Sequence, residues 1–157
     1  MNILTLIDTV VDGIARSATI LDWTNDNYGN DQYVFVNFDI ENPPGESYCP
    51  FSVIYPEIKQ VGQGRSQKSH IIHVVNCLHD SSRREKPGYG NVIEYNGVRK
   101  SEEYRKLVET EIIGLSLGNV LINIDVEYDP ITDFPFFWTF MAISVEEAVT
   151  MGSDYMS

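Results

Sequence analysis

The stretch Val120-Leu121-Ile122-Asn123-Ile124-Asp125-Val126-Glu127-Tyr128 alternates with a period of two: Val120, Ile122, Ile124, Val126 and Tyr128 fall on one side of an extended chain, and Asn123, Asp125 and Glu127 on the other. A strand with one apolar and one wet face belongs to an antiparallel sheet, because parallel strands are covered on both faces. Asp129-Pro130 then turns the chain, and Phe136 to Glu146 reads as a second, longer strand carrying Phe136, Phe137, Trp138 and Phe140. The two are expected to form a hairpin whose aromatic member lies centrally in the sheet or against another subunit.

Upstream of this hairpin, Ser101 to Leu117 predicts a helix. Ser101 offers an N-cap, Glu102 and Glu103 suit the positive end of the helix dipole, and Tyr104, Leu107, Val108, Ile112 and Leu115 form one stripe before Gly118-Asn119. Asp80 to about Lys100 is charged and contains Gly and Pro, so it is expected to be a mobile surface excursion. Ser69 to Leu78 reads as a strand buried on both faces. Phe51 to Tyr55, closed by Pro56, and Gln32 to Ile40, closed by Asn42-Pro43-Pro44-Gly45, read as two more strands. Asn2 to Ala18 predicts an amphipathic helix through Ile3, Ile7, Val10, Val11, Ile14, Ala15 and Ala18, and Thr24 to Asn30 predicts a loop. Segregated elements in this order give an α+β fold. The expected form is a mainly antiparallel sheet of about five strands, with the N-terminal helix and a second helix on one face. A single domain is expected over 1–149, with a frayed tail at 150–157.

Composition narrows the function. With 157 residues, 43% of them hydrophobic, the chain can bury a core without a metal or a disulfide. The opening residues lack a basic region, and Asp8 and Asp12 interrupt their apolar run, so they are not expected to be a secretory signal. No stretch reaches the roughly 18 apolar residues of a membrane span, and Cys49 and Cys77 are expected to be reduced. The net charge of −12 disfavours a general nucleic-acid binder. That charge is unevenly placed. Ten of the 11 Lys and Arg residues lie between Lys59 and Lys106 beside five acids, so this segment is +5 and the remainder −17.

Candidate chemistry is sparse. His70 and His73, three apart on a strand, point to opposite faces and cannot share an ion. Cys77 and His79 share a face, but a zinc site needs further ligands and only Cys49 is at hand. A thiol on so apolar a strand is expected to be buried and inert. Glu57-Ile58-Lys59, with Asp39 upstream, resembles the Mg²⁺ site of restriction-like nucleases, in which carboxylates hold the metal; Pro56 stands against it by breaking the strand that should carry the pair. Asp125, Glu127, Asp129 and Asp133 lack the glycine and terminal glutamate of a calcium loop. Gly62-Gln63-Gly64 lacks the helix and lysine of a phosphate loop. No catalytic, cofactor or metal residues are assigned, and the chain is not expected to be an enzyme.

An N-terminal amphipathic helix (Ile3 to Ala18), central strands, a charged excursion (Asp80 to Lys100), a helix (Glu102 to Leu117) and a closing aromatic hairpin (Val120 to Val145) together resemble the tail terminator and tail-completion (head–tail joining) proteins of tailed bacteriophages. The resemblance implies a structural virion protein that forms a homo-oligomeric ring, commonly a hexamer. Such a ring joins the tail tube to the neck, with tail-tube and neck or connector proteins as partners. DNA passes through the lumen without specific binding. The virion tail or neck would be its location, after assembly in the host cytoplasm. A ring needs two different lateral surfaces on each copy, and the charge layout offers them: Arg83, Arg84, Lys86, Arg99 and Lys100 on one side, and Asp125 and Glu127 with Trp138 on the other. The alternatives are an acidic, monomeric immunity-type protein that masks a basic partner, or a Mg-dependent nuclease using Glu57 and Lys59.

Overall fold

The computed structural model describes residues 2–60 and 67–148, so the expected tail at 150–157 lies outside the described residues. Five strands form one mixed sheet in the order β1-β2-β3-β7-β6, and β4 and β5 form a separate two-stranded hairpin. The ranges are β1 Tyr33–Val36, β2 Phe51–Gln60, β3 Gln67–His79, β4 Arg83–Glu85, β5 Ile93–Tyr95, β6 Val120–Asp129 and β7 Phe136–Ala148; the helices are α1 Ile3–Ala15, α2 Ala18–Tyr28 and α3 Asn96–Ile113. The fold is α+β, and every pairing in the large sheet except β1 with β2 is antiparallel.

The long strands β3 and β7 pair along their whole length and form the centre of the sheet. The β6–β7 hairpin forms as its alternation requires, and Val120, Ile122, Ile124 and Val126 pack on the main core. Tyr128, expected on that buried side, is 55% exposed near the end of the strand. The main core lies between the helices and one sheet face, where Leu6, Ile14, Ile20, Tyr104, Val108 and Ile112 meet Ile54, Ile72, Val74, Phe137, Met141 and Ile143.

A second core occupies the other face, and the parallel pair accounts for it. Parallel neighbours need a crossover connection. Residues 37–50 provide it, and they lay Phe38 and Cys49 over Phe51, Val53, Val75, Cys77, Trp138 and Phe140.

Several boundaries depart from the periodicity. The first helix ends at Ala15 rather than Ala18, because Ser17 restarts the chain as α2 by accepting a hydrogen bond from Ile20 N at 3.2 Å. The expected loop from Thr24 is the second half of α2. Its polar side chains return to the helix backbone: Thr24 and Asn25 donate to Leu21 O (3.1 and 2.9 Å) and Asn27 donates to Trp23 O (2.9 Å). The helix stops only at Gly29, whose φ of 74° terminates it in the left-handed region.

Strand β1 stops at Val36, short of Ile40, because Asn37 takes a φ of 65° and its side chain accepts from Phe38 N. Strand β2 runs past Pro56, where β1 has already ended, so the missing N–H falls at an edge position and is absorbed by a register shift between Pro56 and Ile58.

The third helix begins at Asn96, and Ser101 is buried inside it rather than capping it; it ends at Gly114, one turn before Gly118. Part of the expected excursion is therefore helix, and another part is the β4–β5 hairpin. Asn96 N and Nδ2 donate to Ser82 O and Oγ (3.1 and 2.9 Å), which closes that hairpin against the start of α3.

Candidate assembly surface

The basic residues singled out from the sequence split into two kinds. Arg83, Arg84 and Lys86 lie on or beside β4, and Arg99 and Lys100 lie in the first turns of α3. Arg99 Nε binds Glu94, whose carboxyl is held below the ordinary glutamate value first by that hydrogen bond. Lys100 Nζ lies 3.1 Å from Asp80 Oδ2 and 5.5 Å from the Tyr28 ring centroid. These two cations are committed within the subunit.

On the hairpin, Arg84 Nη2 reaches Glu94 only at 3.9 Å, Lys86 Nζ stands 5.4 Å over the Tyr89 ring, and Arg83 is exposed with no ion pair among the described residues. The hairpin therefore keeps a positive, accessible surface.

Asp125 and Glu127 pair with Ala142 and Phe140 and project from the face of the sheet opposite the helices; both are exposed. Trp138 points to the same face, two strands from Phe51. It is half-buried, donates through Nε1 to Asp133 Oδ2 at 2.8 Å and meets Phe51 edge-on at 5.7 Å, so it belongs to the second core. The sequence signal placed it correctly in a central strand and overstated its availability to a partner.

The periodicity does not reveal the apolar surface beside the hairpin. Tyr95, Val98, Pro130, Ile131, Phe134 and Phe137 line a groove of about 350 Å³ at the turn end of the β6–β7 hairpin. Ile131 is 81% exposed and Val98 50%. These residues come from two separate stretches of chain, 95–98 and 130–137, and only the approach of the hairpin to the turn, with Tyr95 edge-on to Phe134 at 5.3 Å, assembles them.

A second cleft, of about 440 Å³, is lined by Tyr28, Asn30, Glu46, Ser47, Cys49 and His79. His79 Nδ1 lies 3.5 Å from Glu46 Oε1. Both cysteines are free thiols and both are buried. Burial pushes the Cys77 thiol far up, and so does its contact with Cys49, which opposes the thiolate a nucleophile needs. The Tyr28 hydroxyl is buried without a hydrogen-bond partner among the described residues, and burial followed by the charge of Asp80 pushes its ionisation up.

The carboxylates of the nuclease pattern are separately engaged. Glu57 binds His73 Nε2, and Asp39 accepts from Glu41 N and Asn42 Nδ2, each at 3.0 Å. The Lys59 side chain lies outside the described residues. His70 and His73 do face opposite sides of β3, as their spacing requires. Among the described residues no three His, Cys, Asp or Glu side chains come together as metal ligands, and no helix is long and apolar enough to cross a membrane.

No protein-family model matches this sequence, and no curated protein does.

Proposed function

We propose that this protein is a structural component of a tailed-phage virion, a tail terminator or tail-completion protein that closes into a homo-oligomeric ring between the tail tube and the neck. The observation that supports it most is the separation of unlike surfaces on one small fold. A cationic surface is carried by the β4–β5 hairpin, an acidic face is carried by the edge strand β6, and an apolar groove lies between the end of β5 with the start of α3 and the β6–β7 turn. Unlike surfaces on one chain favour head-to-tail contacts, which close into rings when the rotation permits. Charge complementarity of this kind sets register and partner choice more than affinity. The large negative balance of the chain suits a lumen through which DNA slides without finding cations.

The test is the mass distribution of the purified protein, alone and with tail-tube protein, by mass photometry and negative-stain electron microscopy. Closed rings of one size that cap tube ends are expected. A monomer at every concentration, with tube protein present, overturns the reading.

A further inference from the structure

We propose that the outer edge of β6 is a strand-docking site, and that its occupant is strand β4 of a second copy of this chain. This rests on the ring reading and names the contact that would build it.

Among the described residues no strand pairs with the outer edge of β6, although β6 is ten residues long and pairs with β7 in unbroken register. Alternate residues of such a strand present N–H and C=O groups with no partner. Proteins that keep an edge unpaired blunt it with charged side chains, lysine above all, or with proline, a bulge or a very short strand. The opposite edge of this sheet is blunted in that way: β1 has four residues, and the continuation of β2 carries Pro56 and a register shift. Strand β6 is long and unbulged, and the only charges it carries are the carboxylates Asp125, Glu127 and Asp129. Its sequence holds no Lys, Arg or Pro, and apolar Leu121 and Tyr128 stand exposed near its two ends (58% and 55%).

The charges select the occupant. Asp125 and Glu127, two apart, project to one face of β6. A strand laid beside them in register with two cations, also two apart, would make opposite-charge cross-strand pairs on that face. The hairpin provides this pattern in Arg84 on β4 and in Lys86, one residue past its end, where the N–H still bonds across the hairpin to Val92 O at 2.8 Å; Arg83 is adjacent. Strand β4 is also available, because it pairs only with β5 and its own outer edge is open among the described residues. Pro87 ends the run of N–H donors just beyond Lys86, so the added strand is short and covers less than half of β6. The contact joins two different surfaces, so it is heterologous, as a ring needs.

Two charge-reversal variants test this: Arg84→Glu with Lys86→Glu, and Asp125→Lys with Glu127→Lys. Sedimentation velocity at low salt compares each, the four-substitution chain and the wild type, with far-UV circular dichroism confirming that each is folded. The proposal expects each double variant to assemble about tenfold more weakly or worse and the combined variant to regain assembly. Assembly unchanged in either double variant, or not regained in the combined one, overturns the β4–β6 contact while leaving the ring reading in place. A wild type that never assembles overturns both. Amide hydrogen exchange on the wild type decides independently of any variant's folding: assembly should slow exchange in 82–86 and in alternate residues of 120–129. Unchanged exchange there in an assembled wild type overturns the contact.

Discussion

Gly97 and Phe137 meet so closely that a Cβ on Gly97 would stand 2.2 Å from Phe137 Cε2. The first turn of α3 is thereby seated on the start of β7, which explains why the helix begins well before the capping serine favoured by its sequence.

Replacing Gly97 by alanine should therefore destabilise the fold by about 1–3 kcal/mol, the usual cost of overpacking a filled core, although alanine is the better helix former. Urea unfolding of Gly97→Ala against wild type measures this. The loss should be smaller when the same substitution is made in a Phe137→Leu background, because the atoms it meets are then gone.

The Tyr104 hydroxyl, fully buried, lies 2.8 Å from both Ser52 Oγ and Gln32 Oε1, and Ser52 Oγ lies 2.7 Å from Asn76 Oδ1. Removing it in Tyr104→Phe leaves buried polar groups short of a partner, at a cost of about 1–3 kcal/mol. Burial also pushes its ionisation above the ordinary value of 10.0, as it does for Tyr28. The folded state then holds protons that the unfolded chain releases first, so their contribution to stability is complete below about pH 10 and is lost as pH rises above it. Unfolding free energy followed from pH 8 to 11 should fall at the alkaline end, and less steeply for Tyr104→Phe.

Arg105 is 5% exposed and donates to Glu102 at 2.9 and 2.7 Å and to Glu109 at 3.3 Å, with its guanidinium 6.0 Å from the Tyr128 ring centroid. The hydrogen bonds from Arg105 hold the Glu102 carboxyl below its ordinary 4.5 despite partial burial. A depressed carboxylate contributes stability above that value and loses it as pH falls through the lowered one. Glu102→Gln should flatten the acid limb of the stability profile between pH 5 and 3. Arg105→Met should cost about 2 kcal/mol at neutral pH, the scale of hydrogen bonds to charged groups. A flat profile in the wild type would refute the first expectation.

Cys49 and Cys77 are 5% and 1% exposed. Native protein at pH 8 should react with a thiol-specific disulfide reagent far more slowly than protein in denaturant, where both thiols react at once. Rapid release of two equivalents from the native state would contradict the burial. The ratio of the two rates reports local opening around the second core.

The β6–β7 hairpin and the buried side of α3 were legible in the sequence because hydrophobic periodicity is a local property: residues two or four apart report which side of their own element meets the core. The beginning of α3, the length of α2 and the passage of β2 through Pro56 were not legible. Gly97 starts its helix against a phenylalanine forty residues away, and Pro56 is tolerated only because β1 ends opposite Ile54. The same division runs through the candidate surface. The signs of the charges, and their crowding between Lys59 and Lys106, were determined by the sequence alone. Only the tertiary structure decided which of them are spent internally, Arg99 on Glu94 and Lys100 on Asp80, and which remain on β4. It also decided that Asp125 and Glu127 stand on a strand whose outer edge is unpaired among the described residues. Ion pairs and sheet neighbours join residues distant along the chain, so no window of sequence contains them.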